Sequence, residues 1–337
     1  MVKRLFLICL AAILAACAPT VQRAERPAAS FEGPRITENG FFSFDGAWLA
    51  MQRWPPPTDA PATAVIVALH GMNDYSEAYY TAGPYWAANG AAVYAYDARG
   101  FGRSPNRGVW AGEKLLTEDL RTLVALARRA NPGVPVAVVG DSMGAATAIA
   151  AFGSDRPPAA DRLVLVAPAV WGWSTLPDHY AATLWLGAHT FPHRPVTPPR
   201  GVQRKIQASD NIEMLRKLGR DPTMLFETRI DAIFGLVSLM ESASRKAGKL
   251  TVPTLFLYGA KDQIIPRASA EAAARRLPAA GRTALYPHGY HMLLRDLQGQ
   301  TVWRDIAAFV ADPAAPLPSR APPLIAPSGA KSLTTGG

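Results

Sequence analysis

The pentapeptide Gly140-Asp141-Ser142-Met143-Gly144 is the strongest indication of the fold of this chain. The valine-rich residues before it, 134–139, indicate a buried strand, and the alanine-rich residues after it, 145–151, indicate a helix. A serine between two glycines at a strand-to-helix junction is typical of a nucleophile elbow, a tight turn that exposes the serine hydroxyl at its tip. Ser142 is therefore the candidate catalytic nucleophile.

Strands and helices alternate along most of the chain, on both sides of this turn. A hairpin with a tight Asp45-Gly46 turn comes first. Further strands are predicted at 64–69, 91–96, 162–167, 252–258 and 282–286, and helices at 115–130, 268–277 and 301–311. Such alternation predicts an α/β fold, a mostly parallel sheet of about eight strands flanked by helices.

The alternation of strands and helices is interrupted once, after the sixth predicted strand. This interruption separates an inserted cap from the two halves of the core. Residues 35–169 and 249–311 are predicted to form the core, with residues 170–248 inserted between them as a helical cap. Trp171, Trp173 and Phe234 in the cap are candidate substrate-binding residues, although they could equally form the small core of the cap itself.

The two ends of the chain are expected to lie outside the folded core. Residues 1–16 contain a basic start and an apolar run too short to span a bilayer, followed by Cys17. This arrangement resembles the lipobox of a bacterial lipoprotein signal peptide, so Cys17 would carry a lipid and residues 17–34 would form a flexible tether. An ordinary secretory signal is the alternative. Residues 312–337, rich in Pro, Ala, Ser and Gly, are predicted to be a disordered tail.

Composition narrows the possible partners. The 337 residues carry a formal net charge of +9, and 49% are hydrophobic. The basic stretch at 194–220 could be drawn to an anionic membrane, or it could be an ordinary solvated surface. No nucleic-acid-binding motif is present, and the chain has neither a His-Glu-x-x-His motif nor a cysteine cluster for a metal. The resemblance of residues 1–17 to a lipoprotein signal implies an exported lipoprotein that is anchored to a membrane and faces the periplasm or cell exterior.

A serine nucleophile needs a histidine base and an acid that orients the histidine. His291 is the predicted base because it lies in the loop after the last predicted strand, and His288 is the alternative. Asp262, which directly follows another predicted strand, is the predicted acid. The rival acid is Asp97, although its arginine-rich surroundings suggest that it braces a loop instead.

The negative charge that develops on the substrate carbonyl oxygen needs two hydrogen-bond donors. The backbone N–H of Met143, the residue after the nucleophile, is one candidate. The backbone N–H of Met72 is the other, because Gly71 before it permits a close approach. His70 and Gly71 could also form a plain turn at the end of a strand, and His70 is expected to be a structural hydrogen-bonding residue.

Five motifs together resemble the successive motifs of one enzyme family. They are His70-Gly71-Met72-Asn73, residues 97–104, Gly140-Asp141-Ser142-Met143-Gly144, Gly259-Ala260-Lys261-Asp262 and Gly289-Tyr290-His291. They look like those of the monoacylglycerol lipases and lysophospholipases, which are α/β-hydrolases similar to the S33 serine aminopeptidases. The resemblance covers residues 38 to 311 and implies a triad of Ser142, Asp262 and His291, no cofactor, and a cap over the acyl site.

The residues and the resemblance together predict a reaction class. We expect a serine hydrolase that cleaves carboxylic esters of single-chain lipids, either monoacylglycerols or lysophospholipids, through an acyl-enzyme on Ser142. One alternative is a hydrolase of small esters or peptides on the same fold. The other is an anchored binding protein without enzymatic activity. The presence of all three catalytic residue types argues against this alternative, because a binding protein does not need them.

Overall fold

The computed structural model describes residues 18–57, 61–197 and 206–325. Its strands are β1 Arg35–Ile36, β2 Gly40–Phe42, β3 Trp48–Trp54, β4 Ala64–Leu69, β5 Ala91–Tyr96, β6 Val136–Asp141, β7 Arg162–Val166, β8 Pro195–Val196, β9 Thr228–Arg229, β10 Thr254–Gly259 and β11 Gly281–Tyr286. Its helices are α1 Ala82–Ala88, α2 Gly112–Ala130, α3 Met143–Phe152, α4 Asp178–Thr190, α5 Ile212–Leu218, α6 Ile230–Lys246, α7 Arg267–Ala274 and α8 Gly299–Ala311. Short 3-10 turns are formed by Ser76–Tyr79 and Ala247–Lys249.

A nine-stranded sheet forms the centre of the fold, in the order β1-β2-β3-β5-β4-β6-β7-β10-β11. The pairings among β1, β2, β3 and β5 are antiparallel, and all pairings from β5 to β11 are parallel. Strands β4, β5, β6 and β10 are buried along their whole length because helices cover both faces of the sheet. The predicted α/β fold class is confirmed. The sheet has one strand more than the predicted eight, the short β1, which does not contain an apolar run.

Helices cover each face of the sheet and build two apolar cores. On one face, buried side chains of α2, α3 and α7 pack on the sheet, and α6 adds to the same core. On the other face, α1 and α8 pack together against the sheet. The loops that follow the parallel strands therefore emerge together at the carboxyl edge of the sheet.

The cap lies between β7, the sixth strand of the sequence prediction, and β10. It consists of α4, α5 and α6 and the small antiparallel pair of β8 and β9. Helix α6 packs against α3 as well as against α4, so it connects the cap to the core. This contact places the cap over the helix that begins directly after Ser142.

The predicted flexible tether at 17–34 is wrong for the part of it that the structure describes. The backbone N–H of Gln22 donates to the carbonyl of Trp110 at 2.9 Å, and the N–H of Glu25 donates to Asp45 Oδ2 at 2.8 Å. The segment is held because its backbone N–H groups donate to acceptors on the core, whereas none of residues 18–34 is buried. The prediction rested on composition, which does not show such backbone contacts.

The predicted disordered tail at 312–337 is also wrong, for residues 312–325. Leu317 and Leu324 are buried, and the carbonyl of Pro322 accepts a hydrogen bond of 2.7 Å from the N–H of Leu285 in β11. Two buried leucines and hydrogen bonds to backbone carbonyls hold this proline-rich segment along the edge of the sheet. Residues 326–337 lie outside the described residues.

The predicted signal peptide at 1–16 and the predicted lipidation site at Cys17 also lie outside the described residues. Within the described ranges, no helix combines the length and the apolar character needed to cross a bilayer.

Candidate active site

Ser142 lies at a sharp turn between β6 and α3. Its backbone has φ 51° and ψ −111°, a conformation that residues with a side chain rarely adopt. Neither flanking glycine could carry a side chain without displacing backbone. A Cβ on Gly144 would lie 2.2 Å from the carbonyl oxygen of Leu69, and a Cβ on Gly140 would lie 2.6 Å from the Cα of Ala145. The glycines thus allow the nucleophile elbow that the sequence predicts.

The side chains of Ser142, His291 and Asp262 lie in series. His291 Nε2 is 3.1 Å from Ser142 Oγ, and His291 Nδ1 is 2.8 Å from Asp262 Oδ2. The side chains of His291 and Asp262 are buried. With the proton on Nδ1 donated to Asp262, Nε2 is free to accept the hydroxyl proton of Ser142, which is the relay that a serine nucleophile requires.

Two neighbouring strands hold the acid and the base of this series. Asp262 follows β10, and its Oδ1 accepts hydrogen bonds from the N–H groups of Ile264 and Ile265 at 2.8 and 3.0 Å. His291 follows β11, which runs parallel to β10. The two loops approach closely, because a Cβ on Gly259 would lie 2.5 Å from the carbonyl oxygens of residues 289 and 290.

The charge of the surroundings favours the protonated form of His291. Burial alone would lower the pKa of His291, but the hydrogen bond and charge of Asp262, together with the charge of Asp141, raise this pKa above its ordinary value. The imidazolium that forms when His291 takes a proton is thereby stabilised, as general base catalysis requires.

A buried carboxylate beside the nucleophile was not among the residues predicted from the sequence. Asp141 is buried, its Oδ1 has no hydrogen-bond partner among the described residues, and burial raises its pKa to about 6. Arg295 and Asp74 form a buried ion pair that lines the same cavity. Asp141 stands inside the elbow motif itself, so its position next to Ser142 was the signal that could have identified it.

The alternative base and the alternative acid do not reach Ser142. His288 is exposed at the surface. Asp97 instead pairs with Arg103, whose Nε lies 3.0 Å from Asp97 Oδ2, and accepts a hydrogen bond of 2.9 Å from the N–H of Ser76. Asp97 therefore braces a loop, as its arginine-rich neighbourhood predicts.

The two candidate oxyanion donors flank the nucleophile. Met143 is the first residue of α3, so its N–H has no acceptor within the helix. The loop of Met72 approaches the nucleophile closely, since a Cβ on Gly71 would lie 3.3 Å from the Cβ of Ser142. His70 fixes this loop: its Nε2 accepts from the N–H of Ala98 at 2.9 Å, and its Nδ1 bonds the Gly71 carbonyl at 2.7 Å. Oxyanion stabilisation by the two methionine amides stays a prediction.

A cavity of about 680 Å³ opens over Ser142 and His291. Its volume is typical of a pocket for one small ligand. The cap supplies most of its apolar lining. These side chains include Trp171, Leu176, Leu184, Ile230, Ile233 and Val237. An apolar space of this size, with the nucleophile at one end, suits an acyl chain.

The structure corrects two of the three predicted substrate-binding residues. Trp171 lines the cavity, but Trp173 and Phe234 do not. Their rings pack against each other with centroids 5.0 Å apart, and Trp173 Nε1 donates to Ser238 Oγ at 3.0 Å. Phe234 and Ser238 lie one helical turn apart on a face of α6 beside the face that Ile233 presents to the cavity. Trp173 and Phe234 therefore belong to the small core of the cap.

Within the described ranges, no group of three or more His, Cys, Asp or Glu residues is arranged to hold a metal ion.

A protein-family model described as "Serine aminopeptidase, S33" matches residues 60–298, more than half of the chain. Among individual relatives, the chain is 26% identical over 287 residues to a monoacylglycerol lipase of Mycolicibacterium smegmatis, a match that covers 81% of this chain and 96% of the relative. It is 25% identical to the human monoglyceride lipase, with 83% and 92% covered.

Solved structures agree with the fold. A crystal structure of a soluble variant of the monoglyceride lipase from Saccharomyces cerevisiae, in complex with a substrate analogue, superposes with a TM-score of 0.67 at 19% identity. The match covers 86% of this chain and 98% of the yeast chain. The fold, the family match and the lipase relatives agree with one another: the chain belongs to the S33 serine aminopeptidase family of α/β-hydrolases and is a carboxylic ester hydrolase.

Proposed function

We propose that this protein hydrolyses carboxylic esters of single-chain lipids through an acyl-enzyme on Ser142. The observation that carries the proposal is the apolar cavity of about 680 Å³ with Ser142 and His291 in its wall. An acyl chain in this cavity would gain the free energy of leaving water, and its ester carbonyl would lie at the nucleophile.

The acylation half of the reaction uses all three residues of the series. Ser142 Oγ attacks the ester carbonyl carbon while His291 Nε2 takes the hydroxyl proton. The carbonyl oxygen becomes an oxyanion, to which the N–H groups of Met72 and Met143 donate. His291 then gives the proton to the departing alcohol oxygen, the carbon–oxygen bond breaks, and the acyl group remains on Ser142.

The deacylation half repeats these steps with water. His291 takes a proton from a water molecule, whose oxygen attacks the acyl carbon of the Ser142 ester. The second oxyanion collapses, His291 returns the proton to Ser142 Oγ, and the fatty acid leaves. Asp262 stays ionised throughout and holds His291 in the tautomer that both halves need.

The charges around the cavity favour a lipid ester over a peptide substrate. A peptidase that holds a free amino group needs an ionised carboxylate that is not already paired. Here Asp74 is paired with Arg295, and the charge of the buried Asp141 acts on His291. Relatives described as monoacylglycerol or monoglyceride lipases support monoacylglycerol as the first substrate to test.

A comparison of substrates tests this proposal. The purified full chain would be given a monoacylglycerol, a lysophospholipid, a short-chain nitrophenyl ester and an aminoacyl nitroanilide, with Ser142→Ala as the control for background hydrolysis. We expect kcat/KM to be highest for one of the two lipid esters and activity to be lost in Ser142→Ala. A preference for the nitroanilide, or for the short ester over both lipids, would contradict the proposal.

We further propose that the protein is exported and anchored through a lipid on Cys17. The support is the sequence of residues 1–17 alone, with its basic start, short apolar run and terminal cysteine. Labelled palmitate should enter the wild-type protein and not the Cys17→Ser variant. Equal labelling of the two proteins would contradict the anchor and would leave the hydrolase proposal untouched.

A further inference from the structure

The loop that carries Met72, one of the two candidate oxyanion donors, is a tight turn. The backbone N–H of Asp74 donates to the carbonyl of Gly71 at 3.3 Å, which makes Met72 and Asn73 the two central residues of the turn. Asn73 has φ 65°, in the left-handed region that is unfavourable for residues with a side chain. The direction of the Met72 N–H therefore depends on contacts that hold Asn73 in this conformation.

The cap supplies contacts of this kind. Residues 219–229, named here the connecting segment, run from the end of α5 to the start of α6. The carbonyl of Asn73 accepts a hydrogen bond of 3.0 Å from the N–H of Leu225, and Asn73 Nδ2 donates to Thr228 Oγ1 at 2.7 Å. Asn73 Oδ1 is buried and has no hydrogen-bond partner among the described residues, so the bond to Thr228 is the one hydrogen bond that this side chain makes there.

The connecting segment is itself fixed to the core and to the rest of the cap. Tyr75 OH donates to Asp221 Oδ2 at 2.6 Å, and Arg107 Nη2 donates to the carbonyls of two further residues of the segment at 3.1 and 3.2 Å. Thr228 belongs to β9, which pairs with β8 of the cap. Thr228 is therefore held at a defined position beside Asn73.

The same part of the cap also forms the wall of the cavity over Ser142. Ile230, two residues after Thr228, lines the cavity, and so does Val196, which pairs with Thr228 across the two strands. Met72 lines the cavity as well, whereas Asn73 and Thr228 do not. Asn73 and Thr228 thus lie behind the cavity wall, between the cap and the turn that carries Met72.

We propose that Asn73 and Thr228 are positioning residues for the stabilisation of the oxyanion. Through their hydrogen bond, the cap holds the turn in the conformation that directs the Met72 N–H at the substrate carbonyl oxygen. Both residues act through Met72 and not on the substrate itself. The inference rests on the proposed function, in which the Met72 N–H stabilises the oxyanion, and it gives the cap a role in catalysis besides enclosing the acyl chain.

Steady-state kinetics of the full chain with a short-chain nitrophenyl ester test this role. Thr228→Val replaces a hydroxyl with a methyl group of similar size, suits a strand equally well, and leaves Asn73 Nδ2 without its acceptor. We expect kcat to fall about tenfold and KM to change by less than about twofold, because removing an oxyanion donor costs about 10²–10³ in kcat and here the donor is only misdirected.

Two further variants serve as controls for this change. Thr228→Ser keeps the hydroxyl and should retain most of the wild-type kcat. Thr190→Val removes the hydroxyl of an exposed threonine of the cap that bonds the carbonyl of Leu186, and it should have wild-type kinetics.

An alkyl trifluoromethyl ketone separates positioning from a general loss of structure. The Ser142 hydroxyl adds to the ketone carbonyl, its proton passes to His291, and the carbonyl oxygen becomes an oxyanion like that of the reaction. In Thr228→Val, the inhibition constant of this ketone should rise by about the factor by which kcat falls. The inhibition constant of the corresponding alcohol, which has no carbonyl, should stay unchanged. A smaller folded fraction would lower kcat without changing either constant.

A double variant shows whether the two side chains act through one bond. Asn73→Gly allows φ 65° without strain and removes the same hydrogen bond, so it should lower kcat by a similar factor. Asn73→Gly combined with Thr228→Val should lose no more than either single variant, because both changes remove one shared interaction.

Four results would overturn the inference. They are a wild-type kcat in Thr228→Val, a raised KM with an unchanged kcat, an unchanged inhibition constant for the ketone, and a loss in Thr228→Ser as large as in Thr228→Val. The short ester has no long acyl chain, so these measurements do not depend on a preference for lipid esters. Failure of the proposed lipid substrate is therefore distinguishable from failure of this inference.

Discussion

At the scale of single residues, the reactivity of Ser142 depends on the negative charges around His291. Asp262 bonds the imidazole directly, and Asp141 acts on it through its charge. Burial opposes both and favours the neutral ring, but the net effect is a raised pKa of His291. Because only the neutral ring can take the serine proton, kcat/KM should rise with pH as His291 loses its proton.

Replacing Asp141 with Asn should move the acidic limb of the kcat/KM profile to lower pH. The change removes a negative charge that stabilises protonated His291, so the pKa of His291 falls and the neutral base is present at lower pH. It also removes the titration of Asp141 itself near pH 6. The measurement is the pH dependence of kcat/KM for a soluble nitrophenyl ester.

Asp155→Asn is the matched control for this change, since Asp155 is an exposed carboxylate and its variant should keep the wild-type profile. An unchanged limb in Asp141→Asn, or a limb displaced to higher pH, would contradict the electrostatic account of His291.

At the scale of elements, a buried arginine joins the hairpin of β2 and β3 to helix α2. Arg99, in the loop after β5, donates to Asp45 at 2.7 and 2.8 Å and to Asp119 at 2.7 Å. All three side chains are buried, and Ser43 donates to the same Asp119. This network also holds the N-terminal segment, because Asp45 accepts the N–H of Glu25.

Removing Arg99 should destabilise the whole protein. Arg99→Ala leaves two buried carboxylates without their cation, and breaking a buried pair in this way typically costs about 3 to 5 kcal/mol. Arg156→Ala, which removes a mostly exposed partner of Glu118, should cost under about 1 kcal/mol. Urea denaturation measures both, and similar losses in the two variants would contradict the importance of the buried network.

Local sequence patterns were sufficient to predict the parallel strands, the elbow and the residues that meet at the site. Ser142, Asp262 and His291 each follow a strand of a parallel sheet, and such positions share one edge. Ion pairs between residues distant in the sequence could not be predicted in the same way. The partners of Arg99 lie 54 and 20 residues away, and nothing local distinguishes Arg99 from Arg103, which pairs with Asp97.

At the scale of the whole molecule, chain segments at both ends lie against the domain. The predictions for these segments were wrong because they rested on composition. Composition indicates how much apolar surface a segment can bury, but it does not indicate which backbone groups form hydrogen bonds. Residues 312–325 illustrate this: Arg282 Nη1 donates to the carbonyls of Pro313 and Ala315, and Ser319 bonds Asp305. Likewise, periodicity alone could not separate Trp171, which lines the cavity, from Trp173, whose ring packs against Phe234.

The C-terminal segment should contribute measurably to stability. Leu317→Ala and Leu324→Ala each remove a buried side chain, and we expect each to cost about 2 kcal/mol, the lower end of the range for buried leucines. Leu297→Ala, at a leucine that is 74% exposed, is the matched control and should have little effect. Urea or thermal denaturation would distinguish them, and wild-type stability in both buried-site variants would mean that the segment is not held in solution.

Trapping the covalent intermediate would identify the nucleophile of this hydrolase. The full chain would be mixed with a nitrophenyl ester, quenched in acid within milliseconds, digested and analysed by tandem mass spectrometry. We expect one acyl group per chain, located on Ser142 and absent from Ser142→Ala. An acyl group on another residue, or ester hydrolysis at the wild-type rate by Ser142→Ala, would contradict it.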